Sequence, residues 1–311
     1  MCSELTLKGN QYSLPEVRGK YRFNSDLSKV NWFQIGGNAD VIFWPADEED
    51  LQNFLQEISL DIPVTTIGVG SNLLVRDAGI RGVVIRLGKL FTNLDYLDSN
   101  GIISAGAGSL SSSVANFALS HNLSGLEFLV GIPGAIGGAI AMNAGAYGRE
   151  VKDIFVGLDA IDRKGIKHTL EINDFNFSYR SNDIDNNWIF TRGYFKGESA
   201  ADEDIKLKMD EIKSDRENSQ PIKTKTSGST FRNPDPELSD GKRAWQLIDE
   251  AGCRGLTIGD AMVSEKHCNF LINKSKATAK DMENLGEEVK KRVKLHCGVE
   301  LIWEIKRIGD K

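Results

Sequence analysis

Hydrophobic and polar positions along this chain switch between two periods, and the switches outline its elements. Residues 39–44 (ADVIFW) form an apolar run that reads as a strand. A helical period follows: Leu51, Phe54, Leu55 and Ile58 fall at i, i+3, i+4 and i+7, and acids crowd the first turn of PADEEDLQNFLQEI. Residues 63–67 and 82–87 read as further strands on either side of GVGSNLLV, so a β-α-β unit with a glycine turn is the natural picture. The opening 30 or so residues show no clear period, so order is expected to begin near Val30.

Past Phe91 the character changes. A strand at 102–105 ends in the small-residue turn GAGSL, and a helix at 112–121 presents Val114, Phe117 and Ala118. Short strands follow near 154–162, 168–170 and 188–195. Residues 202–218 form a charged helix with Ile205, Met209 and Ile212 on one face, the pattern of a solvated surface helix. A helix at 243–250 opens a third region. A long helix at 278–297 starts on a Thr278–Asp281 capping box and stops at Gly298. Residues 299–305 alternate as a final strand, with Val299, Leu301, Trp303 and Ile305 on one face and Glu300, Ile302, Glu304 and Lys306 on the other. These changes divide the chain at 1–88, 89–200 and 201–311.

Composition narrows the classes. With 311 residues the chain is long enough for two or three domains. The net charge is −6 with no basic domain, which argues against a nucleic-acid partner. The start, MCSELTLKGN, lacks the pattern of a signal peptide, so a cytoplasmic location is expected. Cys2, Cys253, Cys268 and Cys297 form no CxxC pair, so free thiols and no metal are expected.

The stretch GLEFLVGIPGAIGGAIAMNAGAYG, from Gly125 to Gly148, is apolar but too rich in glycine for ordinary core. Its uncharged part approaches the length of a membrane span, yet Pro133, the glycines and the flanking Glu127, Arg149 and Glu150 argue against one. A loop that lets its backbone approach a bulky ligand fits better. The turn GVGSN (68–72) offers consecutive N–H groups as an anion nest, with Ser71 and Asn72 as side-chain donors. SGSTFRNP (227–234) holds Ser229 between Gly228 and Thr230, with no His nearby in sequence to make it a nucleophile. Glu304 beside Trp303 and Ile305 is a candidate acid, and Arg180 in YRSN a candidate carboxylate clamp. Taken alone, GVGSN reads as a β-turn, SGSTFRNP as a polar turn or a donor site about equally, and Glu304 and Arg180 as surface residues.

Their co-occurrence in one order does not reduce to turns. WFQIGGNADV, TIGVGSNLLVRDAGIRGVVI, the glycine-rich stretch, YRSN, SGSTFRNP, AWQLIDEAGCRGLTIGDAMVSEKHCNFLIN and GVELIWEIKRIG together resemble the UDP-N-acetylenolpyruvoylglucosamine reductase (MurB) family, from about Trp32 to Gly309. The compact linkages are similar to its shorter subtype, which lacks an extra substrate-covering loop. The resemblance implies an α+β fold: a two-lobed FAD-binding fold of the vanillyl-alcohol-oxidase (PCMH) type at 1–88 and 89–200, then a C-terminal α+β substrate-binding domain at 201–311. It implies NADPH-dependent reduction of UDP-N-acetylglucosamine enolpyruvate to UDP-N-acetylmuramate, with FAD carrying the hydride, in a monomer or weak oligomer.

By motif match the resemblance makes Ser229 the proton donor, with Arg180 and Glu304 steadying the intermediate. Ile67, Gly68, Gly70, Ser71 and Asn72 then hold the cofactor from one loop. Ile132, Pro133, Gly134, Ile136, Gly137, Gly138, Asn143 and Gly145 hold it from the other, and Tyr147, Asn233 and Arg254 contact the substrate. The chain departs from the family at Gln34 and Lys306, where Arg is common, and at Ser181-Asn182, where an acid usually follows the Tyr-Arg pair. Two other readings are an oxidase or dehydrogenase of the same flavin fold, and a nucleotide-binding module without catalysis.

Overall fold

Asp47 starts the helix Glu48–Glu57: its carboxylate accepts from the Asp50 amide, and three acids occupy the first turn. Leu51, Phe54, Leu55 and Ile58 are buried with Val41, Phe43, Val83 and Ile85 in one core. Each such side chain contributes roughly 2 kcal/mol of burial. The sheet beneath is four-stranded, ordered Lys20–Asp26, Asn38–Trp44, Ile80–Ile85, Val64–Thr66. Its last two strands run parallel. The β-α-β reading therefore holds, with the helix lying between Asn38–Trp44 and Val64–Thr66.

This computed structural model describes residues 3–7, 10–97, 100–185 and 187–311, with side chains from residue 13. Cys2, expected as a free thiol, lies outside the described residues. The chain forms two compact units. The first comprises Met1–Asn24, Asp40–Gly68 and Gly82–Asp215; the second comprises Ser25–Ala39, Val69–Arg81 and Arg216–Lys311.

The first unit also holds a five-stranded antiparallel sheet, ordered Lys167–Glu171, Phe155–Ile161, Ile189–Lys196, Ile102–Gly106, Leu94–Tyr96. The helix Ser111–Ser120 buries Val114, Ala115 and Ala118 in its core. In the helix Asp202–Ser219 it is Ile205 and Met209 that are buried there, with Ile212 packed alongside. The expected face is therefore apolar contact on one side of a charged helix.

In the second unit the helix Ala279–Cys297 carries both halves of the Thr278–Asp281 capping box and ends at Gly298, whose φ is +77°. Its buried Met282, Leu285, Val289 and Val293 join Leu247 and Ile248 of the helix Ala244–Glu250. Phe33, Ile35 and Leu74 enter the same core from the two inserted segments.

Three expectations are corrected. Order begins before Val30: Lys20–Asp26 is an edge strand, and Ser3–Leu7 pairs with Asn10–Leu14. Residues 299–305 are not a strand. Only one isolated bridge, Phe231 to Trp303, occurs there, and the final strand is Lys306–Ile308, paired in parallel with Leu73–Val75. The alternation at 299–305 is real as burial, since Val299, Leu301 and Ile305 are buried while Ile302 is exposed. Alternate burial needs an extended chain but no continuous ladder of hydrogen bonds. The glycine-rich stretch is also not all loop, because Ile136–Ala141 is a short helix.

Gly286 sits inside the long helix where a side chain would collide with the Trp303 ring. Trp303 is held over it by a 2.8 Å bond from Nε1 to Glu287 and by Arg307, whose guanidinium carbon lies 4.6 Å from the ring centroid. Gly286→Leu is expected to destabilise the protein by about 2 kcal/mol, since overpacking outweighs the gain in helix propensity. Urea unfolding checks this; an unchanged or higher midpoint would show that the ring is not docked on the helix.

Candidate active site

In the first unit the chain leaves the strand Val64–Thr66 with the Ile67 amide bonded to the Ile85 carbonyl at 3.0 Å. A Cβ built on Gly68 would have the Ala135 methyl at 3.8 Å and nothing closer. One end of the first glycine turn thus meets the glycine-rich stretch. That stretch is tied to the 107–109 turn: Gly137 donates to the Ala107 carbonyl at 2.8 Å and Ile136 to that of Ser109 at 2.9 Å. Gly134, at φ +118°, bends the chain so that its carbonyl accepts from Ser111.

Two features of this corner suit a large ligand. A Cβ on Gly138 would meet nothing within 4 Å. The Ser109 hydroxyl is buried and has no hydrogen-bond partner among the described residues. An open backbone face beside an orphaned buried hydroxyl is what a cofactor bearing oxygens and a flat ring system would complete. The residues present therefore fit FAD.

Asn143, Tyr147 and Arg180 all have positive φ, at +39°, +54° and +57°. Such conformations are costly for non-glycine residues and cluster at functional sites. Asn143 is fully buried. It donates to Glu150 at 3.1 Å and to the Ser178 carbonyl at 3.0 Å, and accepts from the Lys152 amide. It thereby joins the short pair Gly145–Ala146 and Arg149–Glu150 to the turn carrying Arg180. Arg180 donates to the Gly145 carbonyl at 3.1 Å. The Tyr147 ring packs on Gly131, and its hydroxyl lies 3.0 Å from the Asp215 carboxylate.

In the second unit the Ser229 loop is pinned on both sides. Thr230 donates to the Asn269 carbonyl at 2.7 Å, and its hydroxyl accepts from Leu271. Asn269 bridges the Phe231 amide and carbonyl at 2.9 and 2.8 Å. Glu304 donates its amide to the Thr230 carbonyl at 2.8 Å. Asn72 donates to the Glu304 carbonyl at 3.3 Å, and Lys306 donates to that of Asn72. The Ser229 loop, Glu304 and Asn72 are brought together by backbone bonds and the Asn72 side-chain amide, although no strand runs through them. No described residue bonds the half-buried Ser229 side chain.

Asn233 accepts from the Ala244 amide at 3.1 Å and so opens the helix Ala244–Glu250. Arg254 is paired with Asp249 at 2.6 and 2.9 Å and also donates to the Glu265 carbonyl. The hydrogen bonds to Asp249 raise the Arg254 pKa above the usual arginine value.

Arg232 escaped the sequence reading although it lies within SGSTFRNP. Its Nε is buried and unpartnered, and no carboxylate pairs with it among the described residues. Desolvation, and then Arg232 itself, push the Lys306 ammonium below the usual lysine value, although part of Lys306 stays open to solvent. Two cations thus share the neighbourhood of the Ser229 loop, a field suited to an anion. The signal in the sequence was a basic residue three positions after Ser229, legible only once its partner near residue 306 is known.

The expected residues divide between the units. Ile67, Gly68, the 132–145 positions, Tyr147 and Arg180 belong to the first; Gly70, Ser71, Asn72, Ser229, Asn233, Arg254 and Glu304 belong to the second. Among the described residues no cluster of His, Cys, Asp or Glu is placed to hold a metal, and no helix is long and apolar enough to cross a membrane. Cys253 and Cys268 are free and buried, and burial pushes the Cys268 thiol up to about 11.

Residues 39–171 match the model of an FAD binding domain, and residues 220–308 match that of the UDP-N-acetylenolpyruvoylglucosamine reductase C-terminal domain. Fold and site define an FAD oxidoreductase: an α+β enzyme with an FAD-binding domain and the C-terminal domain of that reductase family. The chain is 50% identical over 301 residues to UDP-N-acetylenolpyruvoylglucosamine reductase of Orientia tsutsugamushi (strain Boryong), covering 96% of this chain and 98% of that one. It is 52% identical to the reductase of the same name from Parvibaculum lavamentivorans, over 95% of this chain and 93% of that one. The crystal structure of the reductase from Thermus caldophilus superposes with a TM-score of 0.79 at 32% identity, covering 94% of this chain and 99% of that one. The chain belongs to the UDP-N-acetylenolpyruvoylglucosamine reductase family.

Proposed function

We propose that this enzyme reduces UDP-N-acetylglucosamine enolpyruvate to UDP-N-acetylmuramate with NADPH, in the cytoplasm, as a step of peptidoglycan precursor synthesis. The observation that carries the reading is the 2.8 Å bond from the Glu304 amide to the Thr230 carbonyl. It ties the backbone at Glu304 to the loop that carries Ser229, in a chain about half identical to reductases named for that substrate. The proposed division is two FAD-binding lobes, 1–88 and 89–200, followed by a substrate domain at 201–311. The inserted segments at 25–39 and 69–81 are compact with that last part.

FAD, when bound, would supply the hydride chemistry that couples NADPH to the enolpyruvyl β-carbon. The chain's own residues do the rest. Hydride addition to a carbon conjugated with a carboxylate drives charge onto that carboxylate. The Arg180 guanidinium, aimed by its bond to Gly145, and the Glu304 acid stabilise that charge. Ser229 gives its hydroxyl proton to the α-carbon, and the rigid loop around it keeps the oxygen placed for transfer. Tyr147, Asn233 and Arg254 hold the nucleotide sugar, and the Arg232–Lys306 pair offers positive field to its phosphates.

The cofactor contacts fall on Ile67, Gly68, Gly70, Ser71 and Asn72 and on the 132–145 positions. Both N–H groups of Asn143 are spent on Glu150 and Ser178, so a cofactor contact there uses its backbone. In solution the protein is expected to be a monomer or a weak oligomer.

A visible absorption spectrum under nitrogen tests the reading. The purified protein should show bands near ~370 and ~450 nm that bleach with NADPH and return when the enolpyruvyl substrate is added. Bleaching that oxygen reverses and the substrate does not would favour an oxidase of the same fold. A protein that stays colourless with added FAD would leave a binding module.

A further inference from the structure

Arg86 follows the strand Ile80–Ile85 directly, and no site assignment above includes it. Thr66 and Ile85 are register partners in the parallel pair, so one further step sets Arg86 beside Ile67. Val83 and Ile85 point into the core under the helix Glu48–Glu57. Side chains alternate along a strand, so Arg86 and Ile67 share the opposite face.

The Arg86 side chain is half-buried, and burial lowers its pKa below the usual arginine value. Its backbone amide is used, donating to the Phe43 carbonyl at 2.9 Å. Among the described residues nothing accepts a hydrogen bond from its guanidinium and no carboxylate pairs with it. A partly desolvated guanidinium with no protein partner gains strength from an oxyanion that a ligand brings. The neighbourhood already points to one. Gly68, next in the chain to Ile67, lies against Ala135, whose methyl a Cβ there would meet at 3.8 Å, and Ala135 borders the corner that holds the orphaned Ser109 hydroxyl.

We propose that Arg86 is a further cofactor-binding residue of the first unit, donating a bidentate pair of hydrogen bonds to the diphosphate of FAD. The planar fork of arginine matches two phosphate oxygens, and a site already partly dry makes the pair strong. NADPH and the nucleotide sugar also carry diphosphates. FAD is the choice because Ile67 and Gly68 flank the glycine-rich corner within the same unit. The inference rests on the flavin reading above.

The test is titration of flavin-stripped protein with FAD, followed by flavin fluorescence at low and high salt, for wild type, Arg86→Gln and Arg86→Lys. Arg86→Gln should raise the FAD dissociation constant about tenfold or more and flatten its salt dependence, while Arg86→Lys keeps most of that dependence. Unchanged affinity in Arg86→Gln would overturn the proposal. So would an equal loss in both variants with the wild-type salt dependence, because Arg86 would then only shape the fold. Intact FAD binding with a loss confined to the NADPH or nucleotide-sugar KM would move the diphosphate to another ligand and overturn it too. A wild-type protein that binds no FAD would instead sink the flavin reading itself.

Discussion

Ser229→Ala protein is expected to bind FAD and to be bleached by NADPH at the wild-type rate, while turnover of the enolpyruvyl substrate falls by about 10³-fold, the scale of a lost general acid. The structure makes this a clean experiment. The loop is held by the Thr230, Phe231 and Asn269 bonds and by the Glu304 amide, none of which uses the Ser229 side chain. Deleting one oxygen should therefore leave loop and fold in place. Stopped-flow measurement separates the two half-reactions. Only the second, in which substrate restores the flavin colour to wild type, should slow in the variant. Turnover at the wild-type rate would remove Ser229 as the proton source and direct attention to another hydroxyl or to water.

Gly138→Leu should fold as well as wild type yet purify colourless, with FAD affinity lowered by about 100-fold. Glycine inside a helix is about 1 kcal/mol less favourable than a good helix former, so Gly138 is a poor choice for the empty protein. Its Cβ direction is open: a Cβ there meets no atom beyond its own helix backbone within 4 Å. The substitution should leave the thermal midpoint of the flavin-free protein unchanged or slightly raised, and its cost should appear only when the cofactor must enter. Gly137 is the control. A Cβ there would lie 3.0 Å from the Ala107 methyl, so Gly137→Leu should weaken both folding and FAD binding. If Gly138→Leu takes up FAD at wild-type affinity, the open side of this helix does not face the cofactor.

Much of the local structure was legible because local rules govern it. The helix Glu48–Glu57 follows from the spacing of Leu51, Phe54 and Leu55, and the helix Ala279–Cys297 from Thr278, Asp281 and Gly298. Capping and amphipathic period act over a few residues, so a window of sequence contains their causes. The composition of the glycine-rich stretch marked it as a candidate ligand-holding segment. The short helix within it was not legible, because Gly137 is helical only through bonds and packing to the 107–109 turn about 30 residues earlier.

Alternation at 299–305 misled for a related reason. A period of two reports which side chains are buried, whereas a strand requires a neighbouring chain to bond along its length. The chain finds that neighbour only at Lys306–Ile308, against Leu73–Val75 more than 200 residues away. The nearness of Arg232 to Lys306 and the place of Arg86 beside Ile67 were hidden likewise. A lone basic residue reads as surface until the fold shows what surrounds it.

The amino-acid sequence by itself determined the longer helices, the family and the candidate site residues, because these reside in short spacings and in ordered motifs. The tertiary structure alone decided that segments 25–39 and 69–81 are compact with the C-terminal residues, that Ser229 lies beside Glu304, and which glycines leave open space. Those outcomes depend on contacts between residues far apart in the chain, and no local window holds the energy that selects them.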